Sequence, residues 1–489
     1  MRFLSKKDEI SIRYGIIIKS FILDYHMVVT FIKTDSLLTE FAGLFPIVDY
    51  THSLGLTQFI KKQFLSFERS MDQFSNEQLF LGLILGSICA GPFFSDLARF
   101  FLDPGVLRVL GLKHAPDRST ILKRLDRISE MSKESLSKTI QRWCLHQFVC
   151  QKNLFGSHHK YRIVDIDSTI NPAYGHQDGV TPTYVTHKSG KNGLHGIHAF
   201  DFKTNFHLFG EIRPGNADSP QGTEEIVDEI CEAFWSQDRK KPIVFRMDSA
   251  FAESKYLNHI HEKGAKFLTK LQSNKVLVRL ARQNPHWKKT RMKAANGSVI
   301  YVAYLPYVNP KWSGNYRVCV YRFEEAQEEK KAPFRQKPLF EEARSRKKYQ
   351  YFYLAANLDL SSEKMLEMYN RRGNCENAIA QIKSQCHCCR KINRKSLQTT
   401  NLLSIFAVLG YNLSILFRYG SRRCYQQNLE LATFVNRYIR IPGKVVKHSR
   451  QCSIAINISK SEKKRGYQYY WESLIGRTFR TLQPPGQAA

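Results

Sequence analysis

Between Tyr161 and Leu271 the spacing of apolar residues changes period several times, and the order of those changes narrows the fold more than any other stretch. Tyr161–Asp167 alternates with period two, as a strand does, and Gly196–Phe200 and Phe206–Ile212 are further strand-like runs. A turn at Arg213-Pro214-Gly215-Asn216 precedes an amphipathic helix over Thr223–Trp235. Pro242–Met247 is then a short apolar strand ending in Asp248. A helix over Glu253–Lys263 and a strand over Lys266–Leu271 complete the series.

Three strands, helix, strand, helix, strand is the element order of an RNase H-like α/β domain. The expected fold class is therefore α/β, with an RNase H-like catalytic domain over 156–271 and 351–418. Tyr351–Ala355 resumes the strand pattern there, and helices follow. Between these segments, residues 272–350 carry short strands (Val299–Leu305, Tyr316–Phe323) among Pro, Gly, Asn and Lys/Arg clusters such as Arg344–Lys348, which reads as a β-rich basic insertion. The apolar run Leu402–Phe417 is interrupted by Ser404, Asn412 and Ser414, so a buried core helix is expected rather than a membrane span.

Residues 28–155 read as a helical region that precedes the catalytic domain. Phe74–Phe101 has helical spacing with a break at Gly91-Pro92. Asp117–Ile128 puts Ile121, Leu122, Leu125 and Ile128 on one face, with Lys123, Arg124 and Arg127 away from it. That pattern suits the second helix of a helix-turn-helix and so a DNA-end-binding role, although an ordinary amphipathic helix produces it more often. Residues 419–489 form a basic C-terminal region in which Tyr438, Tyr467, Tyr469, Tyr470 and Trp471 interleave with Arg and Lys, as suits nucleic acid or a solvated surface. Residues 1–27 are an extension that fits the rest poorly, and Met27 is an alternative start.

The charge identifies a partner class. Against 43 Asp and Glu stand 74 Lys and Arg, leaving +31, which suits a polyanion and makes nucleic acid the leading partner. An acidic membrane surface would need an amphipathic or lipid anchor as well, and none is evident, so no membrane partner is expected. The 11 cysteines show no paired framework, as in a reducing cytosol. Cys386-His387-Cys388-Cys389 with Cys375 upstream lacks the second ligand pair that a zinc site requires.

The chemistry rests on three acids. Asp167 and Asp248 each end an expected strand and are followed by small polar residues, a placement that suits metal bridging and also suits simple turn capping. Asp165 points to the same side as Asp167, and strand position alone does not choose between them. Downstream, Tyr369, Arg372, Glu376 and Lys383 fall at i, i+3, i+7 and i+14, which on one uninterrupted helix lie within roughly 60° of each other. A carboxylate flanked by cations along one stripe can hold a phosphodiester and a divalent metal, whereas a solvated charged face is the plain alternative.

Tyr-x2-Arg-x3-Glu-x6-Lys, read as Tyr369, Arg372, Glu376 and Lys383, resembles the YREK signature of cut-and-paste DDE transposases of bacterial insertion sequences. DIDST at 165–169, YGHQ at 174–177, RPGN at 213–216, MDSAF at 247–251 and RGNCEN at 372–377 are similar to the insertion sequence thirteen-eighty branch, which is related to piggyBac-type elements. The likeness runs from about residue 33 into the tail. It implies a catalytic and metal-binding triad of Asp167, Asp248 and Glu376, with Tyr369, Arg372 and Lys383 contacting DNA near the cleaved phosphate. It implies Mg²⁺, with Mn²⁺ able to substitute, and double-stranded DNA of element ends and target bound by a homodimer. It also implies work on the nucleoid in a bacterial cytoplasm. It further implies a β-rich insertion between the second Asp and the Glu, and a hairpin intermediate in some relatives. Gln381 stands where many relatives carry Glu, outside the triad. The competing readings are a decayed, non-catalytic DNA-binding derivative and a structure-specific nuclease on the same scaffold.

Overall fold

The computed structural model of the chain describes residues 13–15, 28–30, 38–89, 95–132, 136–151, 160–173, 175–183, 191–325, 349–385, 396–420, 429–448 and 451–456. The Gly91-Pro92 break, Tyr174, the Arg344–Lys348 cluster, Cys386–Cys389 and most of the basic aromatic tail lie outside these residues.

One ten-stranded sheet organises the chain. Its strands are β1 (Arg162–Pro172), β2 (Thr181–Pro182), β3 (Asn192–Asp201), β4 (His207–Pro214), β5 (Ile243–Met247), β6 (Lys266–Leu271), β7 (Lys288–Lys293), β8 (Val299–Leu305), β9 (Arg317–Glu324) and β10 (Tyr349–Ala356). The lateral order is β7-β8-β9-β10-β6-β5-β1-β3-β2, with β4 also on β3. β1 pairs antiparallel with β3 and parallel with β5, and β5 pairs parallel with β6. Strands expected at Lys266–Leu271 and Val299–Leu305 have those same limits. β10 is shared: its whole length pairs with β9, and Tyr353–Ala356 also pairs with Leu268–Leu271. The described segment 288–324 thus continues the central sheet.

Helices cover both faces. They are α1 (Phe45–Ser53), α2 (Leu56–Phe64), α3 (Asn76–Cys89), α4 (Asp96–Phe101), α5 (Pro104–Val109), α6 (Arg118–Met131), α7 (Leu136–Cys150), α8 (Thr223–Trp235), α9 (Ser254–Glu262), α10 (Lys275–Gln283), α11 (Ser362–Asn370), α12 (Gly373–Gln385), α13 (Leu397–Gly420) and α14 (Leu431–Phe434). α8 begins and ends where its amphipathic pattern does. α10 has no counterpart among the sequence expectations. Its signal is Asn274, whose side chain accepts from the Leu277 N–H at 2.8 Å while Leu277 and Ala281 turn inward.

Two hydrophobic clusters result. The larger runs from the N-terminal helices through α13 to the sheet, and the smaller joins Val244, Leu268, Tyr321 and Leu354 to Met365 and Leu366 of α11. Met365 and Leu366 are fully buried, each contributing about 1.5–3 kcal/mol of apolar transfer. α13 is the core helix the interrupted apolar run implied: Leu397–Tyr419 meets the length and hydropathy of a membrane span, yet 94% of its most apolar window is buried inside the protein. Gly410 permits this, because a Cβ there would stand 2.1 Å from Ser87 Oγ on α3. Leu38–Thr39 pairs with Gly443–Lys444, so the chain's tail returns to the start of the helical region.

Two expectations need correction. On α6, Arg124 does not lie on an outward face. It is buried at 5% exposure, donating to Phe74 O at 3.2 Å and to Asn76 Oδ1 at 2.5 Å, while Asp72 sits 3.0 Å away. Arg127 is likewise occupied by Asp72 and Phe67 O. Four polar-stripe residues also do not share one helix. α11 ends at Asn370 and α12 starts at Gly373, so Tyr369 is on the first helix, Arg372 in the junction, and Glu376 and Lys383 on the second.

Candidate active site

Ile166 on β1 stands opposite Met247 on the parallel neighbour β5. Asp167 follows on β1 and Asp248 stands just past the end of β5, and neighbouring strands are about 4.8 Å apart, so the register brings these two residues alongside each other. Asp248 also caps the turn Ser249–Phe251, accepting from Ala250 N–H at 2.9 Å, as its capping reading expects.

Asp165 and Asp167 differ in their partners. Asp165 is buried at 1% exposure and takes both arms of a fully buried guanidinium: Arg246 Nε at 2.5 Å and Nη2 at 2.7 Å. Asp167 instead faces the helix junction, where Arg372 Nη1 donates to its Oδ2 at 3.0 Å. The other arm of Arg372 reaches Glu376 Oε1 at 2.7 Å, one turn along α12. A single guanidinium therefore spans a strand carboxylate and a helix carboxylate. Glu376 keeps 60% side-chain exposure and is open to solvent.

Lys383 donates to Thr169 Oγ1 at 2.6 Å and to Ile170 O at 2.8 Å, tying α12 to β1 just beyond Asp167. Tyr369, half-buried in the last turn of α11, has Arg372, Asp248 and Asp167 as charged neighbours. All six residues singled out by the sequence are thus in this neighbourhood, and Asp165 is in the layer beneath.

Electrostatics reflect the crowding. Burial raises the Asp167 carboxyl to about 6 and Asp248 adds to the rise, although Arg372 pulls it down. Burial also raises the Tyr369 phenol to about 12, against the pull of Arg372. Burial works against the Arg372 charge, yet Asp167, Tyr369 and Glu376 together hold it above its ordinary value.

The donor set fits a hard divalent cation in kind: carboxylate oxygens only, two of them adjacent, one carrying a charge that burial makes costly. Among the described residues, no group of three or more His, Cys, Asp or Glu side chains stands ready to surround a metal. Arg372 occupies the space between Asp167 and Glu376. The residue that sequence reasoning missed is Arg246. Its signal is a lone charge inside the apolar run Pro242–Met247, in direct register with Asp165.

A family model described as Transposase DDE domain group 1 matches residues 27–470. No curated protein matches the chain. Among solved structures, a piggyBac transposase synaptic complex with hairpin DNA aligns at 13% identity and a TM-score of 0.39, covering 86% of this chain and 90% of that one. A Mos1 mariner paired end complex with Mn aligns at 9% identity and a TM-score of 0.16, covering 45% of this chain and 75% of that one.

Proposed function

Because the chain belongs to the transposase DDE domain group 1 family, we propose that it binds the terminal inverted repeats of its own insertion sequence and moves that element by metal-dependent strand cleavage and strand transfer. The observation that carries this reading is the adjacency of Asp167 on β1 and Asp248 at the end of the parallel β5, with Glu376 linked to Asp167 through Arg372. The strand order β4-β3-β1-β5-β6, antiparallel then parallel about β1, supports an RNase H-like assignment of the catalytic domain.

Asp167, Asp248 and Glu376 are the residues that would hold Mg²⁺ or Mn²⁺. Bound there, divalent ions lower the barrier to attack on a phosphodiester by activating water and stabilising the leaving 3′ oxygen. The protein's own part is positional. Arg372 and Lys383 neutralise phosphate charge at the cut, and the Tyr369 hydroxyl, kept protonated at neutral pH, donates a hydrogen bond there. Glu376, on an exposed stretch of α12, turns toward the Asp pair once Arg372 engages DNA. The basic surface holds duplex DNA of element ends and target, with two copies of the chain acting together on the nucleoid.

Purified protein incubated with end-bearing DNA tests the proposal. Mg²⁺-dependent nicking at the element boundary and joined products are expected. Asp167→Asn, Asp248→Asn and Glu376→Gln should each retain end binding and lose at least about a thousandfold in cleavage rate. End binding with no cutting by the unaltered chain overturns the enzymatic reading, and cutting without joining reassigns it to a nuclease.

A further inference from the structure

The break between α11 and α12 has an identifiable cause. Arg372 N–H bonds to Tyr369 O at 2.9 Å, a tightened turn, and not to Met368 O as a continuing α-helix requires. The Met368 carbonyl so released would be an acceptor without an intrahelical partner. Arg246 takes it through Nη1, and its Nη2 reaches Arg371 O at 3.2 Å. The guanidinium also lies over the Phe202 ring, 4.5 Å from its centroid. Four directions are therefore fixed for one side chain with no exposed surface: Asp165 on β1, two carbonyls of the helix junction, and an aromatic face.

A buried ion pair is weak support for stability, since desolvation offsets most of its attraction. Apolar residues fill that volume at little cost, so the pair calls for another explanation. Its carbonyl contacts supply one. An unbroken helix would carry Arg372 onward with a different rise and rotation, away from the Asp167 carboxylate it now meets. We propose that Arg246, oriented by Asp165, is a positioning residue that sets the α11–α12 break and so aims Arg372 and Glu376 at Asp167. The consequence for catalysis rests on the transposase reading; the consequence for junction geometry does not.

The test uses the full chain in two forms. Asp165→Leu combined with Arg246→Met removes both charges together and avoids leaving one buried alone. Arg246→Lys keeps a charge beside Asp165 but offers a compact ammonium that does not span the carboxylate and both carbonyls. Amide hydrogen exchange over Arg371–Glu376, end-DNA affinity and single-turnover cleavage are measured on each. Expected are exchange rates altered by about tenfold or more at the junction, slowed at Arg372 where its N–H regains Met368 O, with unchanged protection in β5 and β6, affinity within about threefold, and cleavage lower by about a hundredfold. A folded double variant whose junction amides stay as protected as those of the unaltered chain overturns the proposal. If the double variant does not fold, Arg246→Lys decides by the same exchange measurement. A chain that cuts no DNA at all refutes the transposase reading, while the exchange data still decide the role of Arg246.

Discussion

Arg372 donates to Asp167 at 3.0 Å across 205 residues of chain and links the helix junction to the central sheet. The same guanidinium holds Glu376, so it acts as an internal cation among acidic groups. Arg372→Ala should remove one charge-assisted link from each carboxylate, a loss of about 2 kcal/mol in chelator. Mn²⁺ should then stabilise the variant more than the unaltered chain, because a bound ligand shifts the folding equilibrium by mass action. Denaturant titrations with and without the ion measure both effects. Equal metal response in the two proteins would contradict the placement of Arg372 in the metal's way.

Asp167 gives a pH signature. Its carboxyl is raised from 3.8 to about 6 in the folded chain, mainly by burial. The folded state therefore holds that proton more tightly than the unfolded state. The resulting stability is complete below pH 3.8 and is lost as pH rises through about 6. At pH 8 the ionised side chain costs up to about 3 kcal/mol relative to a neutral one. Asp167→Asn is thus expected to raise the melting temperature at pH 8 and to leave it nearly unchanged at pH 4, while ending cleavage. A melting temperature that falls at pH 8 would refute this.

Much of the fold was legible because its strands and helices follow their own periodicities. β6, β8 and α8 occupy their expected limits, since the apolar pattern of each ends where its chain leaves the core. The site was legible as residue types but not as geometry. The stripe from Tyr369 to Lys383 assumed one helix; Gly373 is a weak local sign of the break, while Arg246 is 122 residues away from the Met368 carbonyl it binds. Arg124 misled for a related reason, since helical spacing gives an angle around an axis but not what loop packs there. The segment Phe67–Asn76, which folds over that face and supplies Asp72, Phe74 and Asn76, supplies the missing information.

Lys383 presents a separable question of roles. Its ammonium is bonded to Thr169 and Ile170 in the free chain, yet it lies on the helix that carries Glu376. If it exchanges these oxygens for a DNA phosphate, Lys383→Met should reduce the slope of log affinity against log salt by about one. Thr169→Val, which removes one of the two protein acceptors, should leave that slope unchanged. Filter binding of an end-bearing duplex across a salt series provides the comparison, and a Lys383→Met slope equal to that of the unaltered chain would restrict the lysine to holding β1.

The helical region yields to a similar dissection on α6. Arg124 is enclosed by Phe74 O, Asn76 and Asp72, so removing its side chain strands two acceptors and leaves Asp72 to Arg127 alone. Arg124→Ala should destabilise the protein by about 2–4 kcal/mol. Lys123, the next residue, is exposed. Lys123→Ala should leave the melting temperature within about a degree, as surface substitutions usually do. If α6 meets DNA ends, the alanine at 123 weakens end binding by a few fold, with a smaller salt slope, because one phosphate contact is lost. If α6 is only a packing helix, affinity does not move. Either way, a loss of DNA affinity in Arg124→Ala that matches its folded fraction shows that this arginine serves the core, so any end recognition on α6 falls to its exposed cations.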